Sequence, residues 1–267
     1  MIQGEDKVKG KLKFRIISMI SIVMFLAIWE LFTDVLGVFS SNMLPSPVLV
    51  MEAFITKLYD TNPDGATIIS HTLASVQVII IGYLLGGFFG TVLGITMGWH
   101  KKIDWIVRPL FDLIRPVPPV AWIPVMLLLF GIGVIAKACI IFLGAFVPCV
   151  INSYSGIKQT SLVHIWVAET FGASNHAILL KVAVPSALPQ IFTGLRVGLA
   201  TSWMALVAAE LLASDSGLGY MLQAARNFGR ADIIVVAMLI IGGLGALSSF
   251  TLGWFQDRFV RGGTKNV

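Results

Sequence analysis

From residue 233 to residue 255 the chain runs for 23 residues without one ionisable side chain. A helix needs about 20 apolar residues to cross roughly 30 Å of hydrocarbon, and a stretch of this length suits that task better than a soluble core. Five further runs are also long and mostly apolar, each with one to a few ionisable residues, at about residues 16–32, 68–99, 110–130, 135–154 and 189–212. Across all 267 residues, 57% are hydrophobic and 12% charged. Soluble domains run near 45–50% apolar and about 25% charged. The sequence therefore predicts an all-α, polytopic membrane protein with six transmembrane helices. They form a single domain over residues 16–260, between a basic tail (1–15) and a short C-terminal tail (261–267). No polar segment is long enough for a separate soluble domain, and no repeat or low-complexity tract interrupts the pattern.

Some runs carry their own signals. The second is longer than a bilayer requires, so it tilts or projects into water. The third holds Pro116, Pro118, Pro119 and Pro124, which a membrane helix tolerates when neighbours satisfy the freed backbone groups. The first follows Lys7, Lys9, Lys11, Lys13 and Arg15 and has a poor cleavage site at Val38-Phe39-Ser40. That layout also suits a secretory signal, but the run's length and the spans behind it favour retention. Cys139 and Cys149 are ten residues apart, roughly 15 Å on a helix, which is too far to bridge.

Six spans put both termini on one side. With that side cytoplasmic, fifteen basic residues lie inside and four outside, namely Lys57, Lys137, Arg226 and Arg230. The positive-inside rule then fixes the orientation, with both termini cytoplasmic. The net charge of +5 is a consequence of topology, and nucleic acid is excluded as a partner.

This orientation places residues 158–187 in the cytoplasm, between spans four and five. Ser161 suits an N-cap for a helix to Phe171. Leu162, Ile165 and Trp166 share its apolar face, with His164 and Glu169 turned elsewhere. Gly172 suits the turn that ends it. Ser174 suits the cap of a second helix through Lys181, Pro185 is expected to break that helix, and Pro189 suits the first turn of span five. Two roles fit such a loop: an amphipathic element lying on the headgroups, or a helix laid into a partner's groove.

Gly172, nine residues, then Val182-Ala183-Val184-Pro185 resembles the cytoplasmic signature of ABC importer permeases, written EAA, three residues, G, nine residues, I-x-L-P. The stretch FGASNHAILLKVAVPSALPQIFTGLRVGLATSWMALVAAELLASDSGLGYML, with RPVPPVAWIPVMLLLFGIG (115–133) and LPSPVLV (44–50), is similar to the branch that carries sulfonates, taurine and nitrate. The likeness covers roughly residues 25–260. It implies a type I ABC importer permease fold and a chain without a catalytic centre. It also implies a second copy, cytosolic P-loop ATPase subunits that hold ATP and Mg, and an external substrate-binding protein that delivers a small sulfonate, taurine or nitrate-like anion. The chain itself binds no cofactor on this account, and it contains no G-x-x-x-x-G-K-[ST] loop, so it is not itself the P-loop ATPase. The ATPase-coupling residues implied are Leu162, Ile165, Trp166, Ala168, Glu169, Gly172, Ala173 and Pro185. One departure is clear: Trp166 stands where the family has its glutamate, which weighs against an ion-pair role at that position. Val184 stands where leucine is usual.

Outer gate or pathway candidates are Met204, Glu210, Gly217 and Gly219. Glu210, near the outer end of span five, is costly in lipid and faces the pathway, the outer vestibule or a partner such as Arg226. Trp203 and Met204 fit either a pathway or a packed core. Glu30 reads as a satisfied interfacial acid and His71 as a neutral, hydrogen-bonded helix residue. Asp112 with Arg115 reads as an i, i+3 pair. Gly82, Gly86, Gly90 and Gly94 form a small-residue face, for packing within the chain or between copies. The competing class is a self-sufficient secondary transporter or channel, which calls for inverted repeats or midplane charges. An intramembrane enzyme calls for a nucleophile–base or metal cluster, and neither pattern is in the sequence.

Overall fold

The computed structural model describes residues 2–38 and 40–260, with side chains from Ile16 onward. The C-terminal tail, the side chains of the basic tail and Phe39 of the cleavage signal lie outside the described residues. Among the described residues every regular element is helical. Two compact units are distinguished: the residues up to Ile68 with Met221–Leu239, and Ile69–Tyr220 with the residues from Ile240.

In the first unit α1 (Ile2–Glu30) runs into one π-helical turn, Leu31–Val35. The Thr33 hydroxyl donates to the Trp29 carbonyl at 2.8 Å. Glu30 Oε2 and Trp29 Nε1 are buried with no hydrogen-bond partner among the described residues. α2 (Pro47–Lys57) is capped by Ser46, whose hydroxyl accepts from Leu49 N–H at 3.4 Å. Lys57 ends it, 2% exposed. Its ammonium donates to the carbonyls of Asn62 and Ala66, each at 2.8 Å, and pairs with Asp64.

The second unit is built on α6 (Val134–Lys158), packed between α3 (Ile68–Trp99) and α9 (Val184–Leu212). Lipid tails are as apolar as leucine, so helices in a bilayer associate by close packing and interhelical hydrogen bonds. Both are present. The glycines of α3 lie flat against α6: a Cβ at Gly82 would meet the Ala138 carbonyl at 2.7 Å, and one at Gly90 the Phe146 carbonyl at 2.6 Å. The stripe is thus an internal seam. On the other side of α6, Thr201 donates to the Gly144 carbonyl at 2.6 Å and Ser202 to the Ile141 carbonyl at 3.3 Å.

The third span is broken. α4 (Lys101–Ile114) stops before Arg115, and a 3-10 turn (Pro119–Trp122) leads into α5 (Ile123–Phe130). The two halves meet at 82°. Pro116, Pro118 and Pro119 lack N–H groups. Arg115 stays helical at φ −58°, ψ −30°, but Pro118, before Pro119, is extended at φ −63°, ψ 143°. A residue before proline prefers that region, and the helical path ends there. Pro124 falls in the first turn of α5, where its missing N–H costs nothing.

The broken pair follows α6 from one end towards the other. Asp104 meets Tyr154 near one end of α6, and Phe111 meets Phe146 at its middle, with ring centroids 6.4 Å apart. α4 therefore climbs antiparallel along α6. Ile123 packs with Ile140, and only residues 131–133 separate α5 from the Val134 end of α6. Five single helices are long and apolar enough to cross a membrane, and the bent pair makes six.

Span five brings a second correction. Beyond α7 (Leu162–Thr170), α8 (Asn175–Ile178) passes through a π turn (Leu179–Ala183) straight into α9. Pro185 does not break the helix. The π turn hands the chain on through Val184 N–H to the Leu179 carbonyl, and Pro185 falls in the first turn of α9, where proline is tolerated. After α9 come α10 (Leu218–Asn227) and α11 (Ala231–Phe259).

Candidate functional site

The loop between α6 and α9 has two parts with opposite character. Its second part is anchored: Leu179 and Ala183 pack with Ile157, Ala187 and Ile191. Its first part, α7, buries none of its residues. Leu162 is 61% exposed, Trp166 59% and Phe171 86%, with Val163 and Val167 also exposed. Ile165 and Ala168 are half-buried, while Glu169 is exposed. The shared apolar face of Leu162, Ile165 and Trp166 therefore exists, with its leucine and tryptophan uncovered by this chain.

The joint between the two parts is fixed by backbone geometry. Gly172 lies at φ +75°. Its N–H donates to the Glu169 carbonyl at 2.8 Å, and Ala173 N–H to the Ala168 carbonyl at 3.0 Å. This pair of bonds is a Schellman motif, which satisfies carbonyls left over at the end of α7. Ser174 then caps α8, its hydroxyl accepting from Ala177 N–H at 3.3 Å. From Asn175 to Leu212 the helical path is continuous for 38 residues.

The outer candidates separate. Glu210, 1% exposed, is held by Ser75, whose hydroxyl shares its hydrogen between the carboxylate oxygens at 2.8 and 2.9 Å. The same carboxylate accepts from Gly219 N–H at 2.9 Å. These groups take the role that the sequence suggested for Arg226, because a backbone turn folded onto the carboxylate supplies donors at no cost in buried charge. The turn is stitched further. Leu218 N–H donates to Ser75 Oγ at 2.8 Å, Gly217 N–H to His71 Nδ1 at 3.1 Å, and Lys137 to Ser214 Oγ at 2.8 Å. His71 is 1% exposed and acts here as an acceptor at Nδ1. A side chain at Gly217 would overlap the Glu210 carboxylate, and one at Gly219 would come within 2.7 Å of Glu210 Cβ. Met204 stands apart from this cluster and is 72% exposed. Its neighbour Trp203 belongs to the core, with Nε1 donating to Ser248 at 3.0 Å.

One cluster exceeds what the sequence suggested. Asp112 and Arg115 do pair, at 3.3 Å, but Arg108 joins them, 4.0 Å from Asp112 and 3.6 Å from Asp104. The Tyr154 hydroxyl donates to Asp104 Oδ2 at 3.1 Å and accepts from Arg108 at 3.2 Å. These side chains, with Met97, Phe111 and Val150, line a cleft of about 160 Å³. The signal was in the sequence as charges on one face of a helix that stops at a run of prolines.

Comparison with known proteins supplies the family. The profile described as "binding-protein-dependent transport system inner membrane component" matches residues 86–264. The taurine transport system permease protein TauC of Escherichia coli is 35% identical over 91% of this chain and 88% of its own length. The nitrate import permease protein NrtB of Synechococcus elongatus is 31% identical over 91% and 89% respectively. A chain of the methionine ABC transporter MetNI, solved in inward-facing conformations, has the same fold at a TM-score of 0.56 and 18% identity, covering 72% of this chain and 94% of that one. On these matches the chain belongs to the family of binding-protein-dependent transport system inner membrane components, the permeases of ABC importers.

Proposed function

We propose that two copies of this chain form the membrane pathway of an ATP-driven importer and that α7 is the port through which energy enters. Cytosolic P-loop ATPase subunits, holding ATP and Mg, seat α7 in a groove. An external binding protein delivers the solute, and both termini face the cytoplasm. The carrying observation is the uncovered apolar face of α7 on a fixed joint to span five. A headgroup-bound helix needs apolar residues but no fixed bend, whereas a lever needs both. Trp166, in place of the family's glutamate, makes the seat one of shape rather than charge. The taurine and nitrate relatives support a small oxyanion-bearing solute.

The test replaces Cys139 and Cys149, introduces Ala173→Cys, and crosslinks to the partner ATPase in inserted complexes. Truncating an aromatic anchor in an interface costs about 2 kcal/mol or more. Trp166→Ala should therefore lower crosslinking and ATP-dependent uptake together, with the amount of inserted protein unchanged. Normal uptake in that variant, without any crosslink from Ala173→Cys in the parent, would reduce α7 to an element lying on the membrane.

A further inference from the structure

We propose that the groove between α3, α9 and α11 holds one acyl chain of an anionic phospholipid, with the lipid's phosphate on Arg196. Every residue concerned belongs to the second compact unit. The site is separate from the coupling loop and the outer turn. It rests on the proposed orientation only for the choice of leaflet, which is the cytoplasmic one.

The groove has the depth of one leaflet. It encloses about 470 Å³ and is lined by Tyr83 and Leu84 of α3, by Leu199 and Trp203 of α9, and by α11 from Leu244 to Phe255. Leu244 is the middle residue of the uncharged run 233–255, and Phe255 is its last. From Leu244 to Phe255 the helix rises about 16 Å, half of the roughly 30 Å of hydrocarbon. The groove therefore starts at one headgroup boundary and stops near mid-membrane. A solute route has to cross both halves, whereas an acyl chain ends at the midplane.

Its wall offers little to a polar guest, because the polar side chains on it already have their hydrogens placed. Trp203 Nε1 donates to Ser248 Oγ at 3.0 Å, and Ser248 to the Gly245 carbonyl at 2.9 Å. Thr251 donates to the Leu247 carbonyl at 2.8 Å and Tyr83 to the Leu195 carbonyl at 3.1 Å. The rest of the lining is hydrocarbon and aromatic ring. An unfilled groove of that kind forfeits dispersion contacts, and a flexible hydrocarbon chain restores them.

Charge identifies the other end of the ligand. Arg196 shares one face of α9 with Leu199 and Trp203, at i, i+3 and i+7, and stands one turn beyond Leu199. There its guanidinium donates to Gln256 Oε1 at 2.6 Å, next to Phe255 at the end of the groove. It lies over Gly253, where a Cβ would sit 3.6 Å from Nη2. Gln256 is neutral, and Arg196 makes no ion pair among the described residues. One uncompensated cation is thus exposed where the apolar groove meets the headgroups. An arginine so placed extends its head to the phosphate level, and its planar fork takes a phosphate by two bonds. Basic pockets between membrane helices on the cytoplasmic side recognise anionic headgroups in this way. A single cation matches a single net negative charge, as in phosphatidylglycerol. The choline of phosphatidylcholine already neutralises its own phosphate.

The experiment uses the permease–ATPase complex in phosphatidylcholine nanodiscs. Each preparation carries the same small fraction of a photoactivatable probe, phosphatidylglycerol or phosphatidylcholine with a diazirine in one of two matched acyl chains. Labelling by phosphatidylglycerol is expected on residues 76–84 and 244–255, read by mass spectrometry of the peptides. The phosphatidylcholine probe should label them about tenfold less, the worth of one charge-assisted contact. Arg196→Gln should remove that preference. Arg196→Lys, which keeps the charge, should retain part of it and so separates loss of the site from loss of folding. Thr251→Phe, which puts a ring into the groove, should lower labelling by both probes. An unlabelled groove, equal labelling by the two probes, or an Arg196→Gln variant with the parent's preference would each overturn the site. So would a crosslink from Thr251→Cys to the second copy, in a background lacking Cys139 and Cys149, because protein would then occupy the groove. ATP-dependent uptake in the same preparation reads the permease function separately. Normal uptake with an unlabelled groove removes the lipid site and leaves the permease standing, while a labelled groove in a complex without uptake does the reverse.

Discussion

Gly172 and Gly219 are both indispensable glycines on physical grounds, for different reasons. At Gly172 an added Cβ would meet nothing within 4 Å, but φ is +75°. The constraint is conformational, and an ordinary L-residue there pays about 1–2 kcal/mol. Asparagine visits this region more readily than alanine, and a β-branched residue least of all. ATP-dependent uptake at equal insertion should therefore fall in the order Gly172, Gly172→Asn, Gly172→Ala, Gly172→Val. A valine variant as active as the parent would mean that the bend is not needed. Gly219 has no left-handed φ, but its Cβ would come within 2.7 Å of Glu210 Cβ and 2.9 Å of the Val207 carbonyl. Gly219→Ala should overpack the turn and cost about 1–3 kcal/mol, read as a lower melting temperature of the solubilised protein. An unchanged melting temperature would show that the turn can retreat from Glu210. Sequence alone flagged Gly172 as a turn residue, since a glycine between capped segments is a local signal, and Gly219 as an outer gate or pathway candidate. It could not supply Glu210's partner, because Ser75 is 135 residues away and its choice depends on which helices are neighbours.

The helices divide by how local their causes are. Hydropathy and the four-residue glycine period are written within each run, so the spans and the α3 seam were legible. The seam's partner was not, and packing against α6 rather than a second copy had to come from three-dimensional structure. The break in span three was half legible. Its prolines were plain, but whether neighbours would restore a straight helix depends on what lies beside Arg115. The continuous passage through Pro185 was hidden for a similar reason, since a π turn is set by the packing of Leu179 and Ala183 under the loop. The seam carries its own prediction. Gly90→Ala places a methyl 2.6 Å from the Phe146 carbonyl, and two membrane helices pressed backbone to backbone have no room to yield. Gly243→Ala, on α11, meets nothing within 4 Å and gains up to about 1 kcal/mol of helix propensity. The first should shift the solubilised protein toward aggregate on size-exclusion chromatography. The second should leave the profile of the parent unchanged. Equal behaviour of the two would deny the seam its structural weight.

At the scale of the whole molecule, the broken third span decides the topology. Counted as one crossing, the bent pair gives six spans and returns the C-terminus to the side of the N-terminus. Counted as a re-entrant loop, it gives five and puts the ends on opposite faces. Two independent arguments favour six. α4 starts at the Lys158 end of α6 and α5 finishes at its Val134 end, as the contacts of Asp104, Phe111 and Ile123 require. The division of Lys and Arg also favours six spans with cytoplasmic ends, thirteen inside against four outside once Arg108 and Arg115 are taken as part of the bent span, and that bias governs orientation in short loops. With five spans, the basic residues at one end of the chain change sides, and α7 no longer shares a face with the N-terminal tail. A reporter active only in the cytoplasm, fused after Val267, should therefore be active, and one placed in the Asp64 loop silent. A periplasm-dependent reporter should give the inverse at both positions. Activity of the periplasmic reporter at Val267 would make the bent pair a re-entrant loop, break the charge rule for this chain, and take from α7 the cytosolic side it needs to meet an ATPase.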